Sequence, residues 1–141
     1  CHLMIGNIWA AESLLGIQAS IESSAGKSKV ELVEAAGKSM LQLHQQYPLA
    51  QSFAYTFRLE KDYWGVLQHG SEMAVSKSFL MGEVVDKVGS GDCFMAGLIY
   101  GMYQQNKPVE IINYAAAAAV GKLQEVGDAT RQTIEQVKAR L

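Results

Sequence analysis

Three small residues, Gly89, Ser90 and Gly91, directly precede an apolar helical pattern whose first turn carries Asp92. Glycine allows the backbone to approach a ligand closely, and the free N–H groups of a first helical turn attract anions. A carboxylate repels a bound phosphate, so Asp92 at this position indicates a base that removes the proton of an alcohol beside the phosphate. A second interpretation stays open, in which the turn is a plain loop and Asp92 stabilises the helix N-terminus.

The composition indicates a single globular unit of ordinary charge. Of the 141 residues, 49% are hydrophobic and 18% are charged, and 12 basic against 14 acidic side chains leave a formal net charge of −2. Neither nucleic acid nor a membrane is an expected partner, because no basic stretch supplies the positive surface and no apolar run is long enough to span a bilayer. Cys1 and Cys93 lie far apart without metal-ligand spacing, so we expect a reduced, cytoplasmic protein.

The elements that would position this turn alternate between strands and helices, which is typical of an α/β layer fold. Apolar periodicity predicts strands over residues 2–5, 53–59, 63–67 and 73–77, and helices over 8–15, 28–47, 92–105, 108–123 and 130–141. Gly16 ends the first helix as a C-cap, Ser28 and Glu31 form a capping box, and His69-Gly70-Ser71 is a hairpin turn. The chain opens on a strand that needs neighbours on both sides, so we expect it to be the carboxyl-terminal piece of a longer protein.

The segment D-K-V-G-S-G-D-C-F-M-A-G-L resembles the carboxyl-terminal signature of the ribokinase-like (PfkB) carbohydrate kinases, D-T-x-G-A-G-D-x-F-x-A-G. The matching positions are Asp86, Gly89, Gly91, Asp92, Phe94, Ala96 and Gly97. The basic residue after the first aspartate and the continuation into Gly-Leu-Ile-Tyr-Gly are most similar to 2-keto-3-deoxygluconate kinases. The resemblance implies a ribokinase-like three-layer α/β/α fold, of which residues 1–141 would be the carboxyl-terminal half with the nucleotide-binding and catalytic part.

The resemblance also implies the reaction. Asp92 would be the catalytic base that deprotonates a sugar hydroxyl, and Gly89, Ser90 and Gly91 would form the anion hole for the phosphoryl group of ATP, with Mg²⁺. The expected substrate is a small sugar acid, 2-keto-3-deoxygluconate, converted to its 6-phosphate. Two alternatives stay open: another PfkB sugar or nucleoside kinase, and a non-catalytic nucleotide-binding module. We expect the full-length enzyme to form a homo-oligomer and this piece alone to be inactive.

Weaker matches add candidate positions for the metal and the nucleotide. In the family, an N-x-x-E motif organises Mg²⁺; Asn7 matches its first position, whereas Ala10 stands where the glutamate is common. Glu12 either replaces that glutamate or is a surface carboxylate, in which case the nucleotide would hold most of the metal. Thr56 and Arg58 lie where the family has its T-x-G nucleotide turn, and Arg58 is either a phosphate or carboxylate contact or a solvated strand end.

The remaining candidates flank the signature. Several relatives place a monovalent cation beside this loop, so Lys87 would either supply that charge or simply pair with Asp86. The helix from Asn113 to Gly121 would border the adenine, unless its alanines serve only close packing. Asp128 follows Gly127 in a pair that resembles a substrate-facing G-D pair of ketodeoxygluconate kinases, or it caps a helix ahead of Thr130.

Overall fold

The computed structural model describes residues 1–141, which form five strands and five helices. The strands are β1 (Leu3–Gly6), β2 (Ser52–Arg58), β3 (Asp62–His69), β4 (Glu72–Val75) and β5 (Phe79–Leu80). The helices are α1 (Ile8–Leu15), α2 (Lys29–Gln46), α3 (Ser90–Tyr103), α4 (Pro108–Lys122) and α5 (Ile134–Lys138). None of these helices is long and apolar enough to cross a membrane.

The strands form one mixed sheet in the order β1-β2-β3-β4, with β5 paired to the start of β3. β1 runs parallel to β2, and β3 and β4 follow as antiparallel neighbours. In this register Gly6 lies beside Tyr55, and Arg58 pairs with Tyr63. The carboxyl ends of β1 and β2 and the first residues of β3 therefore meet at one edge of the sheet.

Helices cover both faces of this sheet, which confirms the predicted three layers. Alternate residues of a strand point to opposite faces. Phe53, Phe57 and Trp64 belong to a core with α1 and α2, whereas Tyr63 and Leu67 belong to a second core with α3 and α4. Burial of both faces explains why the central strands have almost no exposed side chains.

The predicted helix ends are largely confirmed. Gly16 ends α1 in the left-handed conformation at φ 68°, and Ser28 and Glu31 form the capping box of α2. The final helix is shorter than predicted, because Thr133 caps it and α5 covers only Ile134–Lys138 rather than 130–141. Upstream of that cap, the Glu125 carboxylate accepts the Thr130 hydroxyl and the Arg131 N–H, and these contacts hold the segment outside a helix.

The predicted hairpin is present, with one change in its turn. β3 extends to His69, which pairs with Glu72, so Gly70 and Ser71 alone form the connection. Gly70 takes φ 57°, which a two-residue hairpin turn favours. The three-residue turn expected from the sequence was therefore one residue too long.

Helices α3 and α4 pack against each other at very short range. A Cβ on Gly97 would lie 2.6 Å from the Cα of Ala115, and one on Gly101 would lie 3.0 Å from the Ile111 side chain. Backbones can approach this closely only where side chains are absent. The two helices therefore form a rigid pair. At one end this pair carries the turn of residues 86–92, which we call the signature turn.

Candidate active site

The signature turn lies at the sheet edge where β1 and β2 end. Phe94, in the first turns of α3, packs edge-to-face on Tyr63 at the start of β3, with 6.4 Å between the ring centroids. A Cβ on Gly65 would meet the same Phe94 ring at 3.0 Å. The N-terminus of α3 is thereby fixed over the carboxyl edge of the parallel strands, where α/β proteins commonly bind ligands.

Gly89 has a backbone that only glycine accommodates here. It is the N-cap of α3 with φ 78°, and a Cβ on it would lie 1.9 Å from the carbonyl oxygen of Asp128. The Ser90 hydroxyl donates to the Lys87 carbonyl at 2.9 Å, and the Cys93 N–H donates to the Gly89 carbonyl at 2.9 Å. These bonds close the turn and place the segment that contains Asp128 directly against it.

The open side of the turn is suited to an anion. The backbone N–H groups of residues 90–92 come before Cys93, whose N–H is the first to donate within the helix, and they have no protein acceptor. A Cβ on Gly91 would meet nothing within 4 Å, so the space beside Gly91 is open, whereas Ser90 is buried with 6% of its surface exposed. Asp92 is exposed in the same helical turn. Three free donors, open space and one carboxylate thus share one helix end.

Asp86 connects this turn to the segment after α4, a role that the sequence analysis did not assign. Its carboxylate accepts the Val88 N–H at 3.0 Å and the Gly127 N–H at 2.9 Å. These bonds, with a smaller contribution from the charge of Lys122, hold the pKa of the Asp86 carboxyl below its usual range. Asp86 is therefore the link that keeps the two loops together.

The sequence analysis also did not identify Lys122, although its place in an apolar helix pattern could have indicated a buried charge. It is a charged residue at the end of a run of alanines and is 0% exposed in the structure. Its ammonium donates to the Glu125 carbonyl at 2.9 Å. A lysine on the apolar pattern of a helix, rather than on its polar face, predicts a buried charge.

Lys87 does not occupy the position expected of it. Its side chain is exposed and forms no ion pair with Asp86, and the chain's one ion pair joins Lys27 and Glu31. The Asp86 carboxylate is turned towards backbone N–H groups instead. Lys87 is thus solvent-facing, the expected ion pair with Asp86 is absent, and a role of Lys87 in nucleotide binding stays a prediction.

Thr56 and Arg58 lie at the end of β2, on the sheet face that carries α3. Thr56 is half-buried and Arg58 is exposed. Burial raises the pKa of the neighbouring Tyr63 phenol far above its usual value, opposed by the Thr56 hydrogen bond and by the Arg58 charge. Both residues share the sheet edge with the signature turn, and their contacts with a nucleotide stay predictions.

Asn7 and Glu12 are engaged in local structure. Asn7 caps α1, with its side-chain oxygen accepting the Ala10 N–H at 2.9 Å. Glu12 is exposed and accepts the Ala19 N–H at 3.4 Å. No group of three or more His, Cys, Asp or Glu side chains comes together. A role of Asn7 or Glu12 in holding Mg²⁺ stays a prediction.

Asn113 lies in the first half of α4 and Gly121 lies near its end, in different surroundings. Asn113 donates to the Val109 carbonyl and accepts the Lys77 N–H at 2.8 Å, and it lines a cavity of about 510 Å³. Gly121 is buried, and a Cβ there would lie 1.8 Å from the Gln132 amide oxygen. Gln132 therefore fills the space beside Gly121, and the roles of both residues in nucleotide binding stay predictions.

Several solved structures share this fold. A 2-dehydro-3-deoxygluconokinase from Thermotoga maritima is 24% identical, with a TM-score of 0.82, over 98% of this chain and 40% of that one. An adenosine kinase from Sinorhizobium meliloti is 20% identical, with a TM-score of 0.65, over 98% and 35%. A ribokinase from Cryptococcus neoformans, in complex with ADP, is 20% identical, with a TM-score of 0.67, over 99% and 43%.

These likenesses show the ribokinase-like α/β fold, and this chain spans about 40% of the length of the first of these proteins. No curated protein matches the chain in sequence. Residues 66–134 match the family described as pfkB family carbohydrate kinase. The matched segment contains the turn, the α3–α4 pair and the Asp86–Gly127 link described above. The similarity to the pfkB family of carbohydrate kinases thus covers residues 66–134, which include the candidate site.

Proposed function

We propose that this chain supplies the phosphoryl-transfer part of an ATP-dependent kinase that phosphorylates a sugar hydroxyl. The observation that carries the proposal is the N-terminus of α3, which combines three N–H groups without protein acceptors, the exposed Asp92 and open space beside Gly91. A base beside an anion-binding helix end is the arrangement that alcohol phosphorylation requires. The whole of residues 1–141 would then act as one nucleotide-binding and catalytic unit.

In this mechanism Asp92 removes the proton from the hydroxyl that attacks the phosphoryl group. The N–H groups of residues 90–92 bind the phosphoryl oxygens and stabilise the charge that develops on them. Asp86 keeps the turn in place through its two backbone contacts, so these donors need little rearrangement when the anion binds. ATP with Mg²⁺ would supply the transferable phosphoryl group, and Asn7 is the residue of this chain proposed to lie near the metal.

The proposed substrate is 2-keto-3-deoxygluconate, phosphorylated at its 6-hydroxyl. Support comes from the fold shared with a 2-dehydro-3-deoxygluconokinase and from the exposed Asp128 and Arg58, which offer one acceptor and one cation to a sugar acid. Another sugar or nucleoside kinase is the alternative, because an adenosine kinase shares the fold. A non-catalytic module is disfavoured because a carboxylate that repels the anion brings a binding module no benefit, whereas a kinase needs it as the base.

The experiment that tests this function is Asp92→Asn in the protein that contains this chain. We expect phosphoryl transfer to 2-keto-3-deoxygluconate to fall by on the order of 10² to 10⁴, because a general base contributes that much. ADP binding should be retained, since the N–H donors remain. Coupled ADP-release kinetics and calorimetry measure the two effects.

The matched control is Glu72→Gln, which removes an exposed carboxylate from β4, away from the turn. It should leave both measurements unchanged. Wild-type kcat in Asp92→Asn on every sugar acid, sugar and nucleoside tested would show that Asp92 is not the base. Activity confined to a nucleoside would replace the proposed substrate with the alternative.

A further inference from the structure

Lys122 is buried in a way that lysine side chains rarely are. It is the last residue of α4 and is 0% exposed, and the other fully buried polar residues of the chain are all serines. A charged ammonium loses its hydration when it is buried, so such a group is normally paired with a carboxylate. The position of Lys122 therefore requires an explanation from its surroundings.

The ammonium has few direct partners. Its hydrogen bond to the Glu125 carbonyl, at 2.9 Å, uses one of three donors, and no carboxylate lies within ion-pair distance. The Glu125 carboxylate is itself occupied by the Thr130 hydroxyl and the Arg131 N–H. The positive charge of Lys122 is thus held at the end of α4 without a neutralising contact.

The backbone that follows Lys122 lies against the start of the signature turn, because the Val85 and Asp86 N–H groups donate to the Leu123 carbonyl at 2.8 and 3.3 Å. The pKa of the Asp86 carboxyl is lowered by the Val88 and Gly127 N–H groups first and by Lys122 next. Burial raises the pKa of the Cys93 thiol, Lys122 opposes this, and the Glu125 and Asp92 charges add to the rise. The end of α4 therefore lies beside the Asp86 end of the turn, and the charge of Lys122 acts to lower the pKa of both Asp86 and Cys93.

A purely structural role explains this arrangement poorly. A methionine side chain has nearly the same length and would fill the same space without losing hydration. An uncompensated cation is useful where an anion must be bound, because the attraction between charges is strong at low dielectric. The anion-binding feature of this part of the fold is the N-terminus of α3, which follows the Asp86 end of the turn and whose N–H donors have no protein acceptor.

We propose that the buried ammonium of Lys122 is a fixed positive charge behind the 86–92 turn, which holds Asp86 against Gly127 and strengthens the binding of a phosphate-type anion at the turn. The second part of this inference rests on the proposed function. In the first part, Lys122 is a positioning residue that acts through Asp86. It contributes to the order of the turn even before an anion binds.

The main experiment compares Lys122→Met with the matched control Lys38→Met, which removes an exposed lysine from α2 on the opposite face of the sheet. ADP and inorganic phosphate are titrated into each protein by calorimetry. Lys122→Met should weaken the binding of ADP and of phosphate by about tenfold each, which is the effect expected of one charge acting across a partly desolvated site. Lys38→Met should bind as the unmutated protein does, and equal binding in all three proteins would overturn the anion part.

A second measurement tests the positioning part without any ligand. In Lys122→Met, the NMR titration midpoint of the Asp86 carboxyl should rise, and the Gly127 amide should exchange its hydrogen faster. An unchanged Asp86 midpoint in the folded variant would overturn the role of Lys122. Failure of the unmutated protein to bind ADP or phosphate would count against the proposed function, while the Asp86 titration would still decide the positioning part.

Chemical rescue separates charge from packing. Methylammonium chloride should restore phosphate binding to Lys122→Ala, whereas tetramethylammonium at equal ionic strength should not, because it is too large for the space of one side chain. Equal effects of the two salts would refute the charge assignment. If neither variant folds, the ammonium resonance of Lys122 in the unmutated protein serves instead: it should shift when phosphate is added, and a constant resonance would refute the proposal.

Discussion

Replacement of Gly89 by alanine tests the geometry on which the candidate site depends. Gly89 lies at φ 78°, and its missing Cβ would meet the Asp128 carbonyl oxygen at 1.9 Å. Gly91, two residues further along, has no positive φ, and a Cβ there would meet nothing within 4 Å. The two glycines therefore form a matched pair, in which one substitution strains the fold and the other does not.

The expected magnitude for Gly89→Ala has two parts. A non-glycine residue in the left-handed region costs about 1–2 kcal/mol. The new methyl group must also displace backbone rather than a flexible side chain, and the Asp128 carbonyl has to move by roughly 1 Å to reach the 3.0 Å below which Cβ contacts are essentially never seen. Overpacking of this kind costs about 1–3 kcal/mol. We expect a total loss of about 2–5 kcal/mol in the free energy of unfolding.

Urea denaturation followed by circular dichroism measures this loss, and ADP titration measures the effect on the site. Gly91→Ala should unfold at the same urea concentration as the unmutated protein or slightly higher, because alanine favours a helix over glycine by up to about 1 kcal/mol. It should nevertheless weaken ADP binding, since its methyl group enters the open space in front of the turn. Equal unfolding midpoints for Gly89→Ala and Gly91→Ala would refute the close contact with Asp128.

Two further predictions concern the link between the loops and the helix pair. Because the pKa of Asp86 is lowered in the folded state, its stabilisation is present above the usual aspartate range near about 4 and is lost as the pH falls through the folded value. The stability difference between the unmutated protein and Asp86→Asn should therefore be largest at neutral pH and shrink in acid; a pH-independent difference in urea midpoints would contradict it. Gly97→Ala should cost about 1–3 kcal/mol, because its methyl group would lie 2.6 Å from the Ala115 Cα. Thermal unfolding measures that loss, and an unchanged melting temperature would show that α3 and α4 are further apart.

Local sequence patterns predicted most elements because the interactions that define them are local. The capping box of Ser28 and Glu31 and the left-handed Gly16 both involve residues within one helical turn. The last helix was predicted too long for the same reason. Its first residues are held by the Glu125 carboxylate, which periodicity does not reveal.

The signature turn could likewise be predicted from the sequence, because glycine, serine and aspartate restrict the backbone conformation of the segment and the chemistry that it can perform. The order Gly89, Ser90, Gly91, Asp92 indicates an anion-binding helix end with a base, and the structure brings these residues to the edge of the sheet. What each contributes to binding and catalysis stays a prediction. The residue types indicate which chemistry the turn can perform, but they do not predict which distant residues pack against it.

Tertiary packing alone decided those neighbours. Asp86 reaches the Gly127 N–H across 41 residues of sequence, and Gly89 is restricted by the Asp128 carbonyl from the same distant segment. Lys87 is the sequence neighbour of Asp86, yet the cation whose charge acts on Asp86 is Lys122 from another helix. The close approach of α3 and α4 at Gly97 brings these segments together. The order of residues along the chain determines which groups share the signature turn. The close packing of α3 against α4 determines that the buried Lys122 lies near that turn.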